Sequence, residues 1–132
     1  MATLFSKILS GEIPSHAIAG DENFYAFLDI NPLAKGHTLV IPRQETDYIY
    51  DLDDEMLAGI HVFSKRVAKA IEKVVPCKRI GIAVLGLEVP HAHIHLIPIN
   101  NIEDINFARP KLQLSDDELA EIASKIRQEL KV

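Results

Sequence analysis

His91-Ala92-His93-Ile94-His95-Leu96-Ile97-Pro98 is the stretch from which the rest of the chain is best read. Successive side chains of an extended strand point to opposite faces. His91, His93 and His95 therefore share one face, and Ala92, Ile94 and Leu96 share the other. The apolar row needs a helix to cover it. The imidazole row needs hydrogen-bond partners, a ligand or water. Such a strand belongs to a sheet with one face packed on helices and the opposite face free to build a site or a partner surface.

The flanking sequence supplies the cover. Between residues 53 and 76 lies one long amphipathic helix. Asp53 is placed as its N-cap, Asp54 and Glu55 sit in its first turn, and Pro76 stops it. Its apolar stripe reads Leu57, Ile60, Ser64, Val67, Ala68, Ile71, Val74 and Val75. A second helix closes the chain: Ser115 and Glu118 form a capping box, followed by Leu119, Ile122, Ala123, Ile126 and Leu130 on one face. At the other end, Leu4, Phe5, Ile8 and Leu9 fall at helical spacing and Gly11 and Pro14 end the run. Strands are predicted over His16–Gly20, Phe24–Asp29 and Thr38–Ile41, then over Arg79–Leu85 and His91–Pro98. Strands before a long helix, two after it and a terminal helix make an α+β fold with a mainly antiparallel sheet. The 132 residues suit a single domain, 1–132.

Composition narrows the function. Fourteen Lys and Arg against nineteen Asp and Glu give a net charge of −5, opposite to the basic surface of a general nucleic-acid binder. A locally positive pocket for a small phosphorylated ligand is compatible with that charge. The lone Cys77 allows no internal disulfide and no Cys-x-x-Cys site. No stretch approaches the ~18 apolar residues of a membrane span, and the first residues read as no targeting signal. A cytoplasmic, soluble protein is expected.

Three kinds of chemistry suit the histidine row: metal ligation, acid–base and nucleophilic work by neutral imidazole, or ligand binding without turnover. Glu88, three positions before His91, is the nearest additional metal donor.

The whole pattern resembles the histidine triad (HIT) family of nucleotide hydrolases and transferases. The alternation from His91 to Ile97 is similar to the family signature. So are Phe5-Ser6-Lys7-Ile8 through Gly11-Glu12-Ile13-Pro14, Ala26-Phe27-Leu28-Asp29-Ile30-Asn31-Pro32 and Gly36-His37-Thr38-Leu39-Val40-Ile41-Pro42. The resemblance implies a five-stranded antiparallel sheet with a long helix, dimerised so that two sheets become one. It implies hydrolysis of purine nucleoside monophosphate conjugates (AMP or GMP) at the α-phosphate. His93 would be the nucleophile, His95 the phosphate and leaving-group contact, and His91 and His37 the supporting pair. Asp29 would hold the ribose hydroxyls, and Phe5, Ile8, Phe27 and Ile30 would wrap the base. Gly86 and Glu88 would face the phosphate, with no cofactor and no metal.

Two departures stand out. Thr3 and Ser6 occupy positions where many relatives carry zinc-binding cysteines, and Glu45 stands where a histidine often follows; no zinc is expected there. Glu88 replaces the usual phosphate-contacting Ser or Thr of the loop Gly86-Leu87-Glu88-Val89. We expect Glu88 to turn outward or to pair with a cation such as Arg79. If it opposes the phosphate instead, the chain reads as a nucleotide-binding module with little turnover.

Overall fold

The computed structural model describes residues 3–130. Five strands, β1 (Ala17–Gly20), β2 (Phe24–Leu28), β3 (Thr38–Pro42), β4 (Arg79–Ala83) and β5 (Ile94–Ile99), form one antiparallel sheet in the order β1-β2-β3-β5-β4. Helix α1 spans Leu4–Leu9, α2 spans Asp54–Val74 and α3 spans Asp116–Leu130.

Helix starts follow local chemistry. The Asp53 carboxylate accepts the Met56 N–H at 2.8 Å, satisfying a donor that the first turn leaves free. Ser115 Oγ accepts from Glu118 N–H at 3.1 Å, and the Glu118 carboxylate accepts in return from Ser115 N–H. The buried sector of α2 is wider than the predicted stripe, because Phe63 and Ala70 join Ile60, Ser64, Val67 and Ile71.

The sheet separates two apolar cores. On one face, Ala26, Leu28, Val40, Ile94 and Leu96 pack against α2 and α3. Burying each large aliphatic side chain there contributes about 1.5–3 kcal/mol. The other face is not bare: α1 brings Phe5 onto Phe27, Leu39 and Ile41 and covers part of it.

The histidine strand starts later than predicted. Ladder pairing begins at Ile94, because Ala92 N–H donates to Thr46 C=O and His91 N–H to Val89 C=O instead of to a neighbouring strand. The alternation survives: Ala92 joins the helix-side core while His91, His93 and His95 lie opposite. β4 likewise stops at Ala83, short of the predicted Leu85, and β1 starts at Ala17. Pro98 is accommodated within β5 because β3 pairs only as far as Leu96, beyond which no ladder on that side needs its missing N–H.

Candidate active site

A cleft of about 430 Å³ opens on the α1 face of the sheet. Phe5 and Ile8 reach it from α1, Phe27 from β2, and Asp29 and Ile30 from the turn after β2. His37 enters just before β3, Gly86 and Glu88 from the loop after β4, and His93 and His95 from the triad. His91 lies fully buried beneath. Every residue expected at the site is therefore in or directly under one cleft.

Local backbone geometry delivers His37 to it. Gly36 takes φ +88°, and a Cβ there would meet Val75 Cγ2 at 2.9 Å. Only glycine fits both that left-handed turn and that approach. Asp29 N–H then donates to His37 C=O, while the Asp29 carboxylate caps Asn31 N–H at 2.8 Å. Asp29 thus also serves as the turn residue that its place before Asn31-Pro32 suggests.

Hydrogen-bond partners fix the imidazole protons. Leu33 N–H donates to His37 Nδ1 at 3.0 Å, so that nitrogen is bare and Nε2 carries the hydrogen. His37 Nε2 lies 2.9 Å from His95 Nδ1 and donates to it. The proton of His95 is left on Nε2. His93 Nδ1 faces His91 C=O at 2.8 Å and must donate, which leaves Nε2 of His93 with a free lone pair. One cleft thus holds a bare imidazole nitrogen next to an imidazole N–H donor.

Burial keeps these rings neutral. His37 is pushed down to about 3, by desolvation first and then by the His95 and Lys111 charges. His95 is pushed down to about 4, by desolvation and then by His93. His93 is lowered too, mainly by desolvation. Asp29 Oδ2 lies 3.6 Å from His37 Nε2, but with His37 neutral at pH 7 this contact is not an ion pair, and it is too long for a hydrogen bond. Desolvation raises the Asp29 pKa, opposed by Asn31 N–H and Lys111 and assisted by Glu88.

Glu88 is exposed at the rim of the cleft, and among the described residues only the expected pairing with Arg79 is missing. It lines the cleft, its charge acts on both His93 and Asp29, and among the described residues it has no ion pair with Arg79 or any other cation. Gly86, with φ +74°, turns the loop after β4 along the cleft rim.

Two cleft residues escaped sequence reasoning. Phe107 packs edge-on to His95 with ring centroids 4.8 Å apart, and Lys111 brings a cation to the same cleft. Both come from the irregular segment before α3, where no periodicity signals a role.

The metal alternative built on His91, His93 and His95 does not match the geometry. His91 engages both ring nitrogens, with Thr3 and with Pro42 C=O, and His93 Nδ1 is bound to His91 C=O. Among the described residues the donors close enough to share an ion are Asp29, His37 and His95, within 4.8 Å of one another. There, the two facing nitrogens already share a proton. Thr3, Ser6, Glu45 and His91 do come together, but two hydroxyls and a carboxylate bonded to one another do not fit a zinc ion, which favours thiolate and imidazole.

Comparison with known proteins gives the family and matches the fold. The sequence model of the HIT domain matches residues 10–102. A HIT-like protein of Borreliella burgdorferi is 33% identical over 131 residues, covering 93% of this chain and 94% of that protein. The adenosine 5'-monophosphoramidase of Schizosaccharomyces pombe is 34% identical over 134 residues, covering 99% and 100%. The crystal structure of a HIT-like protein from Bartonella henselae superposes with a TM-score of 0.83 at 31% identity, covering 96% and 95%. A zinc-bound histidine triad protein from Mycobacterium smegmatis gives 0.82 at 31%, covering 99% and 94%. The chain belongs to the HIT domain family.

Proposed function

We propose that this protein hydrolyses purine nucleoside monophosphates joined through the α-phosphorus to an amine, an acyl group or a second nucleotide. The observation that carries the reading is the proton arrangement of the triad, with a bare Nε2 on His93 beside an N–H on His95. Similarity to adenosine 5'-monophosphoramidases supports the amine as leaving group.

In this route the His93 Nε2 lone pair forms a bond to phosphorus as the P–N bond to the amine breaks. The amine leaves with that electron pair and takes a proton from solvent. His93 becomes a nucleotidyl-imidazolium, its Nδ1–H still held by His91 C=O. Water then attacks phosphorus, the P–N bond to His93 breaks, AMP departs and the borrowed proton returns to solvent. Splitting one displacement into two lowers each barrier. The His95 Nε2–H donates to the phosphoryl oxygens, and the Asp29 carboxylate accepts from the ribose hydroxyls. Phe5, Ile8, Phe27 and Ile30 form the base-side wall.

A second reading is a nucleotide-binding module with little turnover, favoured by Glu88 in the cleft with its charge acting on His93. AMP release from an adenosine phosphoramidate separates the two. Release by the wild type that His93→Ala abolishes supports the enzyme; tight AMP binding without release supports the module.

Assembly into a homodimer has support from β4, an edge strand that exposes Ile82, with Leu85 and Leu87 exposed just beyond it. Light scattering of the purified protein tests it. Among the described residues no helix is long and apolar enough to cross a membrane.

A further inference from the structure

Thr3 and Glu45 lie outside the cleft, yet they connect to its chemistry through an unbroken line of hydrogen bonds. The Glu45 carboxylate accepts from Thr3 N–H at 2.9 Å and from Ser6 Oγ at 2.5 Å. Thr3 Oγ1 accepts from Ser6 N–H at 3.0 Å, lies 3.1 Å from Ser6 Oγ, and meets His91 Nδ1 at 2.9 Å. On its far side His91 Nε2 faces Pro42 C=O at 2.8 Å. A carbonyl only accepts, so Nε2 carries a hydrogen.

Both edges of the His91 ring are therefore held. Thr3 can donate to a bare Nδ1. The Ser6 hydroxyl in turn donates to Glu45. The Thr3 hydroxyl and the Pro42 carbonyl together hold the ring's orientation. The consequence reaches the next histidine, because the His91 carbonyl orders the His93 ring. The same bonds anchor α1, whose Phe5 ring stands edge-on to His91 and His93 at centroid distances of 5.8 and 5.0 Å.

We propose that Thr3 and Glu45 are positioning residues, which act through His91 and Phe5 to hold His93 with its proton on Nδ1 and its lone pair on Nε2. The inference rests on the proposed reaction for its effect on rate, but the state of His93 is measurable without turnover. The hydroxyls and carboxylate tie the start of α1 to the loop after β3 and to the segment before β5.

The test is Thr3→Val, with Thr3→Ser as the rescue and Glu45→Ala as the second break. Long-range 15N–1H spectra read the histidine nitrogens directly. In the wild type His93 shows one tautomer, protonated at Nδ1. Thr3→Val is expected to shift the His91 Nδ1 resonance, to mix the two tautomers of His93, and to lower kcat for an adenosine phosphoramidate by about 10-fold or more. KM should change little, and Thr3→Ser should restore both readouts. Glu45→Ala should move the same resonances in the same direction. A Thr3→Val protein with a lower Tm but with wild-type His91 and His93 resonances overturns the proposal, because the cluster is then only a structural staple. Wild-type protein that releases no AMP overturns the proposed reaction, and the spectra still decide the positioning.

Discussion

His37 Nε2 donates to His95 Nδ1 across 2.9 Å, while the backbone of Leu33 occupies the other nitrogen of His37. Leu33 and His37 thus set which nitrogen of His95, 58 positions from His37, presents a proton to the cleft. His37 thereby fixes the hydrogen-bond polarity of its neighbour.

His37→Ala removes that control. It leaves Leu33 N–H and His95 Nδ1 without partners and opens a cavity at a residue only 1% exposed. The expected loss is about 2–4 kcal/mol of stability in urea unfolding. AMP release should fall by about 10-fold or more in the protein that remains folded. Unchanged stability and turnover would show that the His37–His95 bond carries neither function.

Acid should unfold the protein through these same rings. His37, His95 and His93 are lowered from the ordinary 6.5, the first two to about 3 and about 4. As pH falls from 6.5 toward those values, the unfolded chain takes up protons that the folded chain refuses. Their contribution to stability is complete above pH 6.5 and is lost progressively below it. Asp29, raised by burial, acts with the opposite sign: the folded state keeps its proton up to a higher pH than the unfolded state. Three imidazoles outweigh one carboxyl. Calorimetry between about pH 7 and about pH 4.5 should show Tm falling steadily, and a Tm that rises over this range would contradict the neutral assignment.

Glu88 has a direct electrostatic test. Its carboxylate lines a cleft that is proposed to hold phosphate, with the Lys111 cation also at the mouth. Glu88→Ser should tighten AMP binding by about 3–10-fold at low salt, with a smaller gain at high salt because the group is exposed. Weaker AMP binding in the variant would instead make Glu88 an organiser of the loop. Calorimetric titration at two salt concentrations separates these outcomes.

Much of this was legible from side-chain chemistry alone, and the misses have physical reasons. Asp53, Ser115 and Glu118 announce helix starts because capping is local. The alternation of His91, His93 and His95 announces a two-faced strand because side-chain direction is set by the backbone. Strand ends were less visible, since the pairing of Ala92 with Thr46 is a tertiary event. Phe107 and Lys111 carry no local signal: they reach the cleft because Leu112 N–H bonds Pro32 C=O and draws their loop across its mouth. The place of Glu88 on the cleft rim depends on the Gly86 backbone, which sequence alone leaves free to turn either way.

Gly36 offers a test of backbone positioning. Gly36→Ala places a Cβ at 2.9 Å from Val75 Cγ2 and 3.3 Å from Ile71 Cγ2, on a residue with φ +88°. The combined steric and backbone strain should cost about 2–4 kcal/mol and should displace His37 from His95. A variant as stable as the wild type, read from urea midpoints, would show that the turn yields easily.

The central claim is that His93 Nε2 bonds to phosphorus. Rapid quenching during turnover of an adenosine phosphoramidate, followed by mass spectrometry of the peptide that contains the triad, tests it most directly. The account predicts an adenylyl adduct on His93 that appears before AMP reaches steady state and is absent from His93→Ala. AMP release by His93→Ala at the wild-type rate, or an adduct on His91 or His95 in place of His93, would contradict it.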